Sequence, residues 1–329
     1  MVTLDAIRRP VAREMEEFDA FVRRNFSVEN ELLAGMVDYI LSSRGKGIRP
    51  LLILLSAAMN TAVEGRGIGQ RTYLAAMLVE IIHTASLVHD DVIDEADTRR
   101  GRASANAKWQ SHNAVVLGDY LLARNMELGM RSGQYDIVSY VISSIATLCE
   151  GELLQSDRAR RMEITRETYL EIIYKKTASL LGISAGIGAL SAGAPQEAVA
   201  RMRRFGDALG MAFQIQDDIL DYTHGTRTGK PANNDLREHK ITLPLLLLLD
   251  AADPARRSEL LALLGRCSDD ETAVDALQRA VERQGCLQQA AETMQGYLRQ
   301  ATALLAEWPD SPFRSALVDL CAYVAERNR

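Results

Sequence analysis

Two groups of carboxylates share one spacing: Asp90-Asp91-Val92-Ile93-Asp94 and Asp217-Asp218-Ile219-Leu220-Asp221. On a helix, residues four apart lie on one face, so Asp90 sits over Asp94 and Asp217 over Asp221. Like charges at that spacing weaken a helix, and packing offers no reason to set them at the end of an apolar stretch. Hard divalent cations do. Mg²⁺ takes oxygen ligands, keeps several waters and bridges carboxylates to phosphates. One such run is more often a solvated helix face. The duplicate, with basic residues close to both copies, favours two metal-bearing walls that hold a phosphorylated molecule between them.

The basic residues come in four groups. Arg99-Arg100-Gly101-Arg102 follows the first carboxylate group, and arginine presents a planar fork suited to phosphate oxygens. A salt-bridge cluster with Asp97 is the plainer reading. Gly45-Lys46-Gly47-Ile48-Arg49-Pro50 is a turn in which glycine lets backbone approach an anion while Lys46 and Arg49 supply charge. Its plainer reading is an exposed loop before a helix that starts at Pro50. Lys175-Lys176-Thr177 interrupts a run of Ile, Leu and Ala, and Lys230 and Glu238-His239-Lys240 follow the second carboxylate group.

Helices must position these groups. Apolar residues recur at three- and four-residue steps in Leu32, Leu33, Met36, Val37 and Ile40, and again in Leu74, Met77, Leu78, Ile81 and Ile82 on the approach to Asp90. No alternating strand pattern longer than a few residues is present. The periodicity predicts helices at 8–24, 28–43, 50–62, 70–97, 113–131, 134–157, 165–192, 196–222, 241–251, 255–265, 271–284, 286–306 and 311–327. No low-complexity linker divides the 329 residues, so the expected architecture is all-α, with one helical domain over 1–329 around a central apolar cavity.

The net charge of −6 argues against nucleic acid as a partner. The four cysteines are scattered and read as reduced thiols of a cytoplasmic protein. Residues 1–26 do not read as a signal peptide. The longest apolar run, Leu243 to Leu249, is too short to span a bilayer, which leaves peripheral membrane contact open.

Taken in order, GKxxRP, HDDxxDxxxxRRG, KT and QxxDDxxD resemble the trans-isoprenyl diphosphate synthases, the polyprenyl synthetase family. The string Val88 to Gly101 is most similar to the long-chain octaprenyl and heptaprenyl members. The resemblance runs from Arg44 to the C-terminal segment and implies a fold of the isoprenoid synthase type. It implies Mg²⁺, about three ions per site, held by Asp90, Asp91 and Asp94 and by Asp217 with support from Asp218 and Asp221. It places Arg99, Lys176, Lys230 and Lys240 on an allylic diphosphate. Lys46, Arg49, His83 and Arg100 fall on isopentenyl diphosphate, and Thr177 and Gln214 beside the reacting carbons. Two features depart from the family pattern. Gly47 stands where a long residue is common, and the loop from Asp221 to Lys230 is about one residue short.

Ala85 and Ser86, one helical turn below Asp90, are small where short-chain members carry an aromatic floor. The expected product is therefore long, roughly six to eight isoprene units (C30–C40) needing several turns of groove. Met126, Met130 and the 134–157 helix are candidates for a deeper floor. The expected activity is repeated addition of isopentenyl diphosphate to farnesyl diphosphate by a homodimer, for quinone side chains. Shorter-chain synthases, a terpene cyclase, a His-Asp phosphohydrolase suggested by His89-Asp90, and a regulatory subunit of a two-component synthase are the rivals. The segment from Ala255 onward shows no legible chemistry.

Overall fold

The computed structural model describes residues 2–26, 28–43, 45–64, 68–223 and 233–327. Helix α1 (Leu4–Arg8) passes through a 3₁₀ turn (Arg9–Val11) into α2 (Ala12–Asn25), followed by α3 (Glu31–Ser42), α4 (Ile48–Glu64) and α5 (Gln70–Ile93). A small hairpin, β1 (Thr98–Arg99) and β2 (Arg102–Ala103), precedes α6 (Ala105–Arg131), α7 (Tyr135–Arg161) and α8 (Arg166–Ile173). A π turn (Tyr174–Ala178) joins α8 to α9 (Ser179–Ser191). Then come α10 (Gln196–Thr223), α11 (Asn234–Arg237), α12 (Leu243–Ala251), α13 (Pro254–Leu264), α14 (Glu271–Arg283), α15 (Cys286–Leu304) and α16 (Pro312–Glu326). The architecture is all-α, as expected.

Local chemistry sets the helix ends. Asn30, Ser104, Thr165, Asp253, Asp270 and Ser311 cap with their side chains, each accepting from an amide in the first turn. Pro244, Pro254 and Pro312 occupy first-turn positions where the missing N–H is harmless. One buried apolar cluster runs from Ile7 to Val324. At its centre α9 is buried almost throughout. Gly188 lies against the Ile53 carbonyl of α4, and Gly206 and Gly210 of α10 lie against the backbone at Leu181 and Ala178. A side chain at any of these positions would push α4, α9 and α10 apart.

Several boundaries differ from expectation: the 8–24 helix begins at Leu4 and is split by the 3₁₀ turn, the 28–43 helix starts at Glu31, and α11 was not expected. Helix α5 stops at Ile93 rather than 97, because Glu95 takes a positive φ of 48° and the chain turns into the hairpin. Helix α6 starts at Ala105, eight residues before the expected 113, since Ser104 caps it by accepting from the Ala107 amide at 3.0 Å. It is kinked at Gln110 (φ 70°). Helix α7 continues past 157 to Arg161. The expected 165–192 helix is broken by the π turn.

Helices α5 and α7 are each long and apolar enough to cross a membrane by length and composition. No such span is visible when only unbroken apolar runs are counted. The apolar window of α5 is 67% buried, as a core helix should be, whereas that of α7 is only 28% buried. Ile142 and Leu153 of α7, Tyr135 at its start, and Val115, Val116 and Met130 of α6 are all exposed. Met130, 53% exposed, cannot floor a cavity within this chain.

Candidate active site

The first carboxylate group ends α5. Asp91 is buried, and Arg99 donates to its Oδ1 through Nε at 2.7 Å and Nη2 at 2.5 Å. Asp90 is half-buried and Asp94 exposed. Burial, with Glu152 and Asp94 nearby, pushes the Asp90 carboxyl up to about 6, while Lys176 and Arg99 oppose the rise. A divalent cation bound here would favour the charged form and bring that value down.

The hairpin exists to aim two arginines. Its central residues, Arg100 (φ 54°) and Gly101 (φ 75°), both lie in the left-handed region, as a tight two-residue loop demands. For arginine that conformation is unfavourable, and such strain is kept where the surroundings fix it. Arg100 Nη1 donates to the Ser43 carbonyl at 2.7 Å, and its guanidinium lies flat on Gly45, where a side chain would collide with it. Arg102 donates to Ser43 Oγ at 2.6 Å and stacks on Tyr39, whose hydroxyl donates to the Ala103 carbonyl at 2.9 Å.

Arg49, Arg100 and His83 form a second electropositive group. Burial pushes the Arg49 guanidinium down to about 10, Arg100 adds to the drop, and Glu80 opposes it. Its Nε is buried and has no partner among the described residues. Burial holds His83 well below its usual range, helped by Arg49, Arg100 and Arg99, so its imidazole is neutral. Lys46 is exposed in the Gly45–Gly47 turn, with Nζ 5.6 Å from the Tyr323 ring centroid. Arg8 pins that turn by donating to the Lys46 carbonyl.

The opposite wall comes from the π turn and α10. Lys176 pairs with Glu152 at 2.5 Å and donates to Gln155 Oε1 at 2.8 Å. Thr177 Oγ1 donates to Gln214 Oε1 at 2.7 Å, and Gln214 Nε2 donates to Asp218 Oδ1 at 3.0 Å. Tyr169 donates to Asp218 Oδ2 at 2.6 Å. Asp218 is pushed up to about 7 by burial, against the pull of those two hydrogen bonds. Asp221 accepts from the Asn234 amide at 3.1 Å and the Asp235 amide at 3.0 Å, and so caps α11. Asp217 is ion-paired with Arg327, which also stacks 4.1 Å from the Phe213 ring centroid. A cavity of about 150 Å³ is lined by Lys176, Thr177, Gln214, Asp218, Asp235 and Lys240 among others. A larger one, about 340 Å³, reaches Asp91, Arg99 and Arg100 from the α2–α3 side.

Two lysines join the walls. Lys176 bears on Asp90 and lines the smaller cavity beside Asp218. Lys240, on the far side of α11, feels Asp235 and Asp94, and with its Glu238 pair these more than offset the lowering effect of burial. The carboxylates of α5 and α10 therefore face one space. Among the described residues no three acids or histidines close into a ready cage.

Of the residues singled out from sequence, Asp90, Asp94, Lys176 and Lys240 share that space, and Arg49, His83 and Arg100 form the neighbouring group. Lys230 lies outside the described residues. Tyr169, Asp235, Glu152 and Arg327 went unread. Tyr169 stood in an ordinary amphipathic stretch, Arg166 to Ile173, and Arg327 in a segment with no motif to mark it.

The family model described as polyprenyl synthetase matches residues 30–281. The chain belongs to the polyprenyl synthetase family. It is 38% identical over 292 residues to heptaprenyl diphosphate synthase component 2 of Geobacillus stearothermophilus, covering 88% of each chain. It is 32% identical to octaprenyl diphosphate synthase of Escherichia coli strain K12 over the full length of both. The structure of a polyprenyl synthase from Caulobacter crescentus CB15, complexed with calcium and isoprenyl diphosphate, matches with a TM-score of 0.90 at 30% identity, covering 99% of this chain and 98% of that one. This polyprenyl synthetase family member has the all-α isoprenoid synthase fold and is an enzyme of the prenyltransferase class.

Proposed function

We propose that the enzyme adds isopentenyl diphosphate units, one after another, to an allylic diphosphate, with farnesyl diphosphate as the favoured primer. The product is an all-trans polyprenyl diphosphate of roughly C30–C40. The observation that carries this reading is the pairing of two sites: carboxylates facing each other across Lys176 and Lys240, and beside them a separate cationic pair, Arg49 and Arg100, with neutral His83. A terpene cyclase has no need of the second.

Bound Mg²⁺ supplies charge neutralisation on the leaving diphosphate. Asp90, Asp94 and Asp217 suit it, with Asp91 fixing Arg99 and with Asp218 and Asp221 holding the α10 wall. Arg99, Lys176, Lys240 and Lys230 stabilise the same developing charge. Arg49, Arg100, Lys46 and neutral His83 orient isopentenyl diphosphate so that its double bond meets the allylic carbon. The apolar interior keeps water from the cation. The proton lost after bond formation leaves with the diphosphate.

Chain length rests on α5. Ala85 is fully buried and Ser86 half-buried, its hydroxyl donating to the His83 carbonyl at 2.9 Å, so α5 itself places no large side chain one turn below Asp90. Relatives of similar identity are named for short and for long products, so identity alone does not set the length. The exposed apolar residues of α6 and α7 support a homodimer; a cytoplasmic location belongs to the same reading. Relatives named component 2 favour one second reading, in which that face takes a different chain. A quinone side chain is the proposed destination of the product.

The test is condensation of radiolabelled isopentenyl diphosphate by the purified chain alone, with dimethylallyl, geranyl and farnesyl diphosphates, in Mg²⁺ and in excess chelator. Mg²⁺-dependent turnover, best with the longest primer, is expected. Turnover only after a second protein is added would favour the two-component reading. No turnover in either case would refute both.

A further inference from the structure

The α10 wall ends in a hydrogen-bond chain that crosses three elements and has one direction. Tyr169, only 2% exposed on α8, donates to Asp218 Oδ2 at 2.6 Å. Asp218 Oδ1 accepts from Gln214 Nε2 at 3.0 Å, and Gln214 Oε1 accepts from Thr177 Oγ1 at 2.7 Å. A carboxylate only accepts, while an amide offers NH₂ on one side and C=O on the other. With Asp218 in its ionised form and accepting from both Tyr169 and Gln214, Gln214 turns its NH₂ to Asp218 and its carbonyl to Thr177. Thr177 then commits its one proton to Gln214. What it leaves toward the cavity it lines with Lys176 is oxygen lone pairs. Where an allylic cation forms, an electron-rich oxygen is stabilising and a hydroxyl proton is not.

We infer that Tyr169 is a positioning residue: through Asp218 it fixes the Gln214 amide, and through that amide the acceptor face of Thr177. The inference rests on reading the site as one of prenyl transfer. Tyr169 touches neither substrate in this scheme. Its effect should fall on the bond-breaking step and not on the binding of either diphosphate, whose cationic contacts lie on other residues.

The experiment compares wild type, Tyr169→Phe, Asp218→Asn and the double variant, each purified, by kcat, by KM for both substrates, and by Tm. Tyr169→Phe is expected to lower kcat about tenfold with both KM values within about twofold. Asp218→Asn gives Gln214 a partner that can also donate, so the amide loses its fixed sense. It is expected to lower kcat further, and the double variant to be no worse than Asp218→Asn alone, since one chain is broken once. An unchanged kcat for Tyr169→Phe would overturn the inference, as would losses that multiply in the double variant. So would a fall in kcat matched by rises in both KM values and a Tm lowered by on the order of 10 °C, the mark of general loosening. Absence of condensation by wild type would refute the prenyl-transfer reading itself and is seen before any variant is compared.

Discussion

At the scale of single residues, charge imbalance marks the site. Arg49 is a buried guanidinium whose Nε has no partner among the described residues, and Arg100 beside it makes matters worse. An anionic ligand relieves both. Arg49→Ala should raise KM for isopentenyl diphosphate about 10- to 100-fold and leave KM for the allylic primer unchanged, by steady-state assay with each substrate varied. Equal rises in both would contradict the assignment. Asp207 of α10 gives a contrasting case outside the site. Its Oδ1 is buried without a partner among the described residues, and burial pushes its carboxyl up to about 6 despite Arg203. The folded value thus lies above that of the unfolded chain, so the folded state binds more protons between about pH 4 and 6, and stability falls as pH rises through that window. Asp207→Asn should add about 1–3 kcal/mol to the unfolding free energy at pH 7 and flatten the profile between pH 4 and 6. Urea unfolding at several pH values checks this; a variant less stable at pH 7 would contradict it.

At the scale of elements, the hairpin and the π turn do the positioning. The hairpin holds Arg99 on Asp91 and Arg100 on Ser43, and its loop depends on Gly101 at φ 75°. Gly101→Ala strains that loop by about 1 kcal/mol. It should raise KM for isopentenyl diphosphate several-fold while Tm moves by only about 2–4 °C. A binding constant that does not move would mean the arginines are aimed by something else. Neither element was legible in advance. Arg99-Arg100-Gly101-Arg102 reads as a basic loop, since two residues per strand carry no alternation to detect. The π turn is hidden because it adds a single residue to an otherwise continuous apolar pattern, yet such bulges gather at functional sites, and this one carries Lys176 and Thr177. The long helices were legible because each must bury a stripe that repeats every three or four residues. The tail path proposed along α5 predicts that Ser86→Phe shortens the product by several isoprene units without abolishing condensation. Ser86 is the better site, because Ala85 is fully buried and a large residue there would strain the core. An unchanged product spectrum would refute the tail path.

At the scale of the whole molecule, three features follow from one arrangement. Helices α5 and α10 bring the two carboxylate groups together, α9 is packed between α4 and α10 by glycine contacts, and α6 and α7 turn an apolar face outward. That face predicts self-association: light scattering should give twice the 36.3 kDa of the chain, and Ile142→Glu with Leu153→Glu should return it to one. A wild-type monomer at micromolar concentration would contradict the proposed homodimer. The central claim is that this site elongates repeatedly and that no floor stops it early. The most direct measurement is the size of the products formed from farnesyl diphosphate and radiolabelled isopentenyl diphosphate with Mg²⁺, resolved by chromatography. A ladder that ends at one polyprenyl diphosphate of roughly C30–C40 is the predicted result. Products that stop after one addition would contradict it, leaving the reaction intact and the open groove refuted.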